Sequence, residues 1–419
     1  MMAHANSAVA EMAARAESWN MRLLGHSDLA GHGDGSRIDK KGNFLYVAHM
    51  KSMALTILNV EDPTNPHVVN QIAKAPGVHS HKVQIAGDVM LTNHERAPWE
   101  TGDYRPGIQL YDITRPDSPK EISFFPTCEK GVHRFWFADG RYAHLPTSAE
   151  GYSNRIYRIV DVQNPTRVQE VGQWWLPGLW AAGGETPNWD PKKSVWCHGI
   201  IAAGDRAYVA YEDEGFAILD ISSVSSPRLI SRLDLMPPFR GHTHTVLPLP
   251  RRKLLIVAEE AVRNRCEDAY KMVWIVDVRD ETRPVPIAAF PIPEGDFCAR
   301  GGRFGPHNIH ENRPGSKDDD LLIYLCYFNA GIRIVDISNP FRPEEVGFFI
   351  PPTPQGQQAI QINDVYVDGD GLIYITDRIG GGLYILEYTG RRPTEAREKA
   401  RSLSESGIKT FAPTFDDRA

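Results

Sequence analysis

The apolar positions of this chain fall in short runs. "FLYVAHM", "RAYVAYE", "LLIYLCYF" and "LIYITDR" are rich in Val, Ile and Tyr, and Gly, Pro, Asp or Asn bounds each run. Short β-branched and aromatic runs between turn residues read as strands. Helical periodicity is nearly absent between residues 20 and 390.

The runs come in a repeating order. A marker phrase appears as "LTILNVEDPTNP" (55–66), "IQLYDITRPDSP" (108–119), "YRIVDVQNPTRV" (157–168), "FAILDISSVSSP" (216–227), "VWIVDVRDETRP" (273–284) and "IRIVDISNPFRP" (332–343). A truncated copy, "LYILEYTG", closes the series at 383–390. With Asn59, Asp112, Asp161, Asp220, Asp277, Asp336 and Glu387 as markers, the intervals are 53, 49, 59, 57, 59 and 51 residues. Each unit holds two strands before the marker strand, then turn chemistry, then a fourth strand such as "EEVGFFI". Four strands per unit at a period near fifty is the signature of a β-propeller. The last copy lacks its fourth strand, and "NMRLLGHSDL" (20–29) supplies one in character. An N-terminal strand that completes the last blade closes the ring and removes exposed edges.

The predicted fold class is all-β: a seven-bladed β-propeller over 20–390, closed by an N-terminal strand. A short N-terminal helix (over 6–18) forms an extension at 1–19, and a polar C-terminal tail covers 391–419, part helix and part disordered. "IRIVDISNP", "YRIVDVQNP" and "WIVDVRDE" resemble the LVIVD repeat. From "RLLGHSDLAG" to "LYILEYTG" the chain is similar to bacterial LVIVD-repeat propeller proteins. That resemblance implies the propeller and assigns no reaction.

Composition narrows the partners. Net charge is −7, with no basic cluster, which argues against nucleic acid or an anionic membrane. No apolar run is long enough to span a bilayer, and the N-terminus does not read as a secretory signal. Five cysteines without CxxC spacing fit a reducing compartment, so a cytoplasmic location is expected, with Cys266 and Cys298 able to pair across two loops. Oligomeric state is not legible.

The chemistry lies in the histidines. Aligned on the first strand of each repeat, "HSHKV", "GVHRF", "WCHGI", "HTHTV" and "GPHNI" put His81, His133, His198, His244 and His307 at one position. Blade 7 has Asn363 there and blade 1 Ser36. First strands line the central channel, so five imidazoles are expected at one mouth. A single repeat histidine more often bonds a neighbouring backbone carbonyl. Five together suit a divalent transition metal: iron first, with zinc, manganese or copper as alternatives. An all-imidazole set on a seven-bladed propeller is similar, at fold level, to the four-histidine iron site of carotenoid cleavage oxygenases.

Loops at the same mouth supply the wall. His79, His242, Arg134, Trp175, Trp180 and Trp196 are the expected substrate pocket, the tryptophans coming from the loop 172–196. Lys82 and Arg240 are further candidates to hold an anionic group. Glu95, Glu259, His310 and Glu311 are the catalytic candidates, and Glu212 and Glu260 share the loops that carry them. His310, three residues after His307, is expected to face the other side of the strand.

The expected function is a metal-dependent enzyme acting on a small aromatic or apolar substrate by non-haem iron oxidative chemistry. A zinc or manganese lyase or hydrolase is the close alternative, and a non-enzymatic propeller that binds a protein partner is the third.

Overall fold

The computed structural model describes residues 2–236, 238–239 and 241–393. The tail from 394 onward and Arg240 lie outside the described residues. Among them, seven antiparallel sheets form seven blades. Blade 1 contains Gly35–Lys41, Phe44–His49, Leu55–Asn59 and His67–Ile72. Blade 4 contains Gly199–Ala203, Arg206–Ala210, Phe216–Asp220 and Arg228–Leu233. Blade 5 contains Thr243–Leu249, Leu254–Glu259, Val273–Asp277 and Val285–Ala289. Blade 7 contains Ile362–Val367, Leu372–Asp377 and Gly382–Tyr388, and Met21–Ser27 is its fourth strand, paired with Gly382–Tyr388. The N-terminal strand therefore closes the ring, as the repeat count requires.

The extension carries more structure than its sequence promises. The helix runs Met2–Arg15, and Glu17–Trp19 then adds a further strand to the outer edge of blade 6 beside Glu344–Ile350. Asn20, at φ 53, turns the chain from blade 6 to blade 7.

The marker residue has a structural reason. Asn59, Asp112, Asp161, Asp220, Asp277 and Asp336 each accept a hydrogen bond from the backbone N–H two residues on. Each side chain thus starts the turn from third to fourth strand, as short polar side chains do. The apolar residues before it fill the contacts between blades. Leu55, Ile57, Ile218, Ile275 and Ile334 are all fully buried.

The innermost strands are irregular at the ring position. Pairing slips between Gly35 and Ile38, between Thr243 and Thr245, and between Ile362 and Asp364. In blade 2 the strand breaks between Val78–His79 and Val83–Ala86. In blade 3, isolated bridges at Val132 and Trp136 replace a strand. His133 N–H donates to Pro146 O, and a proline cannot return the bond. Blade 6 likewise bridges at Phe304 and Ile309. A bulge re-aims the side chain it carries, and here it recurs where the side chain must turn to the axis.

Cys266 and Cys298 are joined by a disulfide with Cα atoms 5.4 Å apart. The bond clips the loop after Glu260 to the short helix Phe297–Arg300. It removes the cysteine argument for a reducing compartment, because structural disulfides persist where conditions are oxidising. Closing a loop with sequence separation 32 contributes roughly 3–4 kcal/mol by chain entropy. Cys298→Ser should therefore lower Tm by about 4 °C relative to the oxidised protein. Calorimetry with and without reductant checks this; an unchanged Tm in both would show that the bond constrains nothing.

Candidate metal centre

The five histidines meet. Ring centroids follow one another around the axis: His81 to His133 at 5.0 Å, His133 to His198 at 4.6 Å, His198 to His244 at 4.3 Å, and His244 to His307 at 4.4 Å. His307 Nδ1 lies 2.7 Å from Asn363 O, and Asn363 Nδ2 donates to Ser36 Oγ at 3.2 Å. The circuit thus continues through the two blades that lack a histidine. His81, His198, His244 and His307 are buried and His133 is half-buried, and desolvation pushes each below its ordinary pKa. They are neutral rings with lone pairs to offer.

Their partners set which nitrogen carries the hydrogen. His133 Nδ1 lies 2.9 Å from a Glu95 oxygen; a carboxylate can only accept, so Nδ1 donates and Nε2 keeps a lone pair. The bond from His307 Nδ1 to Asn363 O works the same way. His244 Nδ1 is held by Thr245 Oγ1 at 2.7 Å. For His133 and His307, Nδ1 is tied as donor and Nε2 keeps a lone pair, the arrangement of metal-binding histidines; the Thr245 hydroxyl, able to donate or accept, allows His244 either tautomer. His198 Nε2 lies 3.2 Å from His133 Nε2, and its Nδ1 has no partner among the described residues.

His81 differs. Asn93 Oδ1 accepts from Lys82 N–H and Asn93 Nδ2 donates to Val132 O, so the amide presents N–H to His81 Nδ1 at 3.2 Å. The proton then sits on Nε2, and His81 offers no lone pair there. It stacks instead on His79, centroids 3.8 Å apart, and both face Glu95. Two groups have donor atoms within 4.8 Å of one another: His79, His81 and Glu95, and His198, His244 and Glu260. In the first, Glu95 is already matched by Arg155 and His133. In the second, Glu260 lies 4.0 Å from His198 Nε2, 3.9 Å from His244 Nε2 and 3.7 Å from His307 Nε2. These N···O distances are too long for hydrogen bonds. Burial pushes the Glu260 carboxyl up, yet the cations around it, Arg303, His242 and Arg378 among them, outweigh it and hold it at about 2. Its Oε1 pairs with Arg303 at 2.9 Å and faces His307, and its Oε2 faces His198 and His244 with no ion pair to a lysine or arginine among the described residues.

The structure sorts the other candidates. Glu259 turns away from the axis and accepts from Met272 N–H and Trp274 Nε1–H, so its neighbour Glu260 is the carboxylate on the ring. Strand alternation makes the two mutually exclusive, and the sequence shows only that both exist. His310 lies between blades 6 and 7, with Nε2 on Lys317 O and Nδ1 accepting from Val367 N–H. Glu311 is locked by Arg37, Arg134 and Arg313. Neither has the freedom of a catalytic acid or base. Arg134 is spent on Glu311 and His244 O and does not wall a pocket. His242 does reach the ring: its Nδ1 is 2.7 Å from Glu212, whose other oxygen is 3.8 Å from His198. Burial pulls the His242 imidazole down, but Asp213 and Glu212 outweigh it and raise it.

Of the tryptophans, only Trp196 joins the ring, edge-on to His133 at 5.3 Å and under the Arg155 guanidinium. Trp175 and Trp180 pack on each other and on Tyr152, and Glu185 ties their loop together. Trp99, edge-on to His79 at 4.9 Å, stands at the mouth in their place. Its loop follows Glu95 closely in sequence, which is the one signal that could have found it.

Residues 32–73, 197–234 and 323–349 match the family model of the LVIVD repeat. They lie in blades 1, 4 and 6, so the chain carries LVIVD repeats on a seven-bladed propeller. No curated protein sequence matches it. Among solved structures it is similar to the N-terminal domain of Nup159 (TM-score 0.55, 12% identity, 88% of this chain and 95% of that one). It is also similar to a periplasmic gluconolactonase of Pseudomonas aeruginosa (0.54, 10%, 90% and 98%). A functionally unknown protein of Desulfotomaculum acetoxidans is comparable (0.52, 11%, 82% and 92%). At these identities the likeness is one of fold. No helix among the described residues is long and apolar enough to cross a membrane.

Beneath the ring, burial pushes the Glu311 carboxyl up, but Arg37, Arg134 and Arg313 outweigh it and set it at about 2. Glu311→Gln should cost about 3 kcal/mol, since it strands buried cations. A folded value below the ordinary 4.5 means the contribution is present above pH 4.5 and lost as pH falls toward about 2. Urea midpoints for the two proteins should therefore differ at pH 7 and converge in acid. Equal midpoints at pH 7 would show that the network carries no stability.

Proposed function

We propose that the protein is a metal-dependent enzyme whose ion is held at the propeller axis by His198, His244, His307 and Glu260, with His133 as a further donor. The observation that carries this reading is the ionised Glu260 carboxylate set 3.7–4.0 Å from three imidazole Nε2 atoms, distances too long for hydrogen bonds. Donors to one ion bonded at about 2.0–2.2 Å stand a little over 3 Å apart, so a small inward shift completes such a site. Imidazole with one carboxylate suits iron, manganese or zinc and disfavours copper(I).

Bound iron would supply oxidative chemistry, and the donor set together with the aromatic wall of Trp99 and Trp196 favours that use on a small aromatic or apolar substrate. A zinc or manganese lyase or hydrolase is the second reading. The Glu212–His242 pair beside His198 favours it, because it is a place to hold and pass a proton. The chain's own residues divide the work in either case. Glu95 and Asn363 orient the imidazoles, Glu212 and His242 hold the proton, and the tryptophans exclude water.

Elemental analysis of protein purified without chelator should find close to one iron, manganese or zinc per chain. His198→Ala/His244→Ala should lose it while the circular dichroism of the sheets is kept. Glu95→Gln, which weakens the bond that orients His133 and also the pairing with Arg155, should weaken metal binding roughly 10–100-fold. Wild-type protein that is folded, metal-free and unable to take up any of the three ions would overturn the reading and leave partner binding as the alternative.

A further inference from the structure

We propose that the gap in the histidine ring is an anion subsite, in which Arg378 receives a carboxylate or phosphate group of the substrate. The identification of that anion as part of a substrate rests on the metal reading above; the subsite itself does not.

Where blades 7 and 1 meet, the ring positions hold Asn363 and Ser36, two short side chains bonded to each other. Arg378 stands beside them, just after the strand Leu372–Asp377. Its guanidinium lies 4.9 Å from the centroid of Phe328, a ring it shares with Arg303 at 5.6 Å. The two arginines are not equivalent. Arg303 is matched by Glu260 at 2.9 Å. Among the described residues, the guanidinium of Arg378 has one polar contact, a long bond to Asn363 Oδ1 at 3.4 Å. The adjacent Asp377 makes no ion-pair contact with it, its carboxylate accepting instead from the N–H groups of Gln361, Ile379 and Gly381.

Other cations lie around the gap and are matched in part. Lys82 is buried, with Arg37 and Arg134 but also the carboxylates of Asp364 and Glu260 among its charged neighbours, and His79 Nδ1 lies 3.5 Å from a Glu95 oxygen. His79 feels both Lys82 and Arg378, and its Nε2 is buried with no partner among the described residues. Arg378 is half-buried with no carboxylate at ion-pair distance; withdrawing such a charge from water is costly, and an entering anion recovers part of that cost. A guanidinium also presents two parallel N–H donors, the geometry that matches carboxylate or phosphate oxygens. Position ties the subsite to the metal. The main-chain oxygen of Asn363 accepts from His307 Nδ1 while its side-chain oxygen accepts from Arg378. A single residue therefore separates the free arginine from a proposed ligand, close enough for one small molecule to span both.

Benzoate and inorganic phosphate serve as the probes, titrated calorimetrically into the full chain after chelator treatment. One of the two should bind at a single site; which one does identifies the anion. Arg378→Gln should weaken that binding at least tenfold, and Arg279→Gln, a surface arginine, should leave it unchanged. Arg378→Lys covers the case in which the glutamine variant does not fold: it keeps the charge, loses the fork and should show a smaller loss. Wild type that binds neither probe, or Arg378 variants that bind as wild type does, would overturn the proposal. Protein that binds an anion through Arg378 yet takes up none of iron, manganese or zinc would sink the metal reading alone.

Discussion

The carboxylate of Glu311 is the interaction on which the channel depends. It comes from blade 6, and Arg37 of blade 1 and Arg134 of blade 3 close on it from across the axis. Arg37 also binds Asp364 of blade 7, and Arg313 joins Glu311 to Asp39 of blade 1. Four blades are thus tied through buried charge. Such a network is favourable only when every member is matched, and removing one partner leaves an expensive orphan. Space is fitted to it as well. Arg134 crosses blade 4 where residue 199 is glycine, and a Cβ there would stand 2.9 Å from its Nη1. Held in this way, the innermost strands of blades 1, 5 and 7 can carry an irregularity at the ring position without loosening.

Above that layer the chemistry is sorted by hydrogen bonds. Desolvation lowers the pKa of all five imidazoles, yet they are not interchangeable. Where the Nδ1 partner is a carboxylate or carbonyl, Nε2 is left with a lone pair; where it is an amide N–H, Nε2 keeps the proton. That divides His133 and His307 from His81. The acids divide similarly. Glu260 is ionised among histidines and cations, Glu95 is spent on orientation, and Glu212 is shared between His198 and His242.

Much of this was legible in the sequence because the repeat fixes register. The blade count, the N-terminal closing strand and the common position of five histidines follow from one aligned phrase, whose Asp or Asn has a clear task in starting a turn. What was not legible depends on geometry that no spacing encodes. Glu259 and Glu260 are adjacent, and only the path of the strand shows which faces the axis. The fates of Trp175 and Trp180 depend on how one long loop folds on Glu185. His81 occupies the shared position and still differs, because its tautomer is set by Asn93 from the next strand. Glu311 looked like a catalytic acid because it adjoins two histidines, and its arginine partners come from residues 37 and 134, far away in the chain.

Burial also bears on which class of function the ring can serve. His198, His244 and His307 are 3%, 1% and 4% exposed, and Glu260 is 8%. A protein partner docking on the propeller face would touch loops such as those of Trp99 and Trp180, each 41% exposed. It would gain nothing from polar groups it cannot reach. Burying neutral imidazoles around an ionised carboxylate costs stability unless something completes their bonding. An ion or a small molecule that enters the channel can do so. The ring is therefore difficult to explain as part of a docking surface and natural as a site for small, charged occupants.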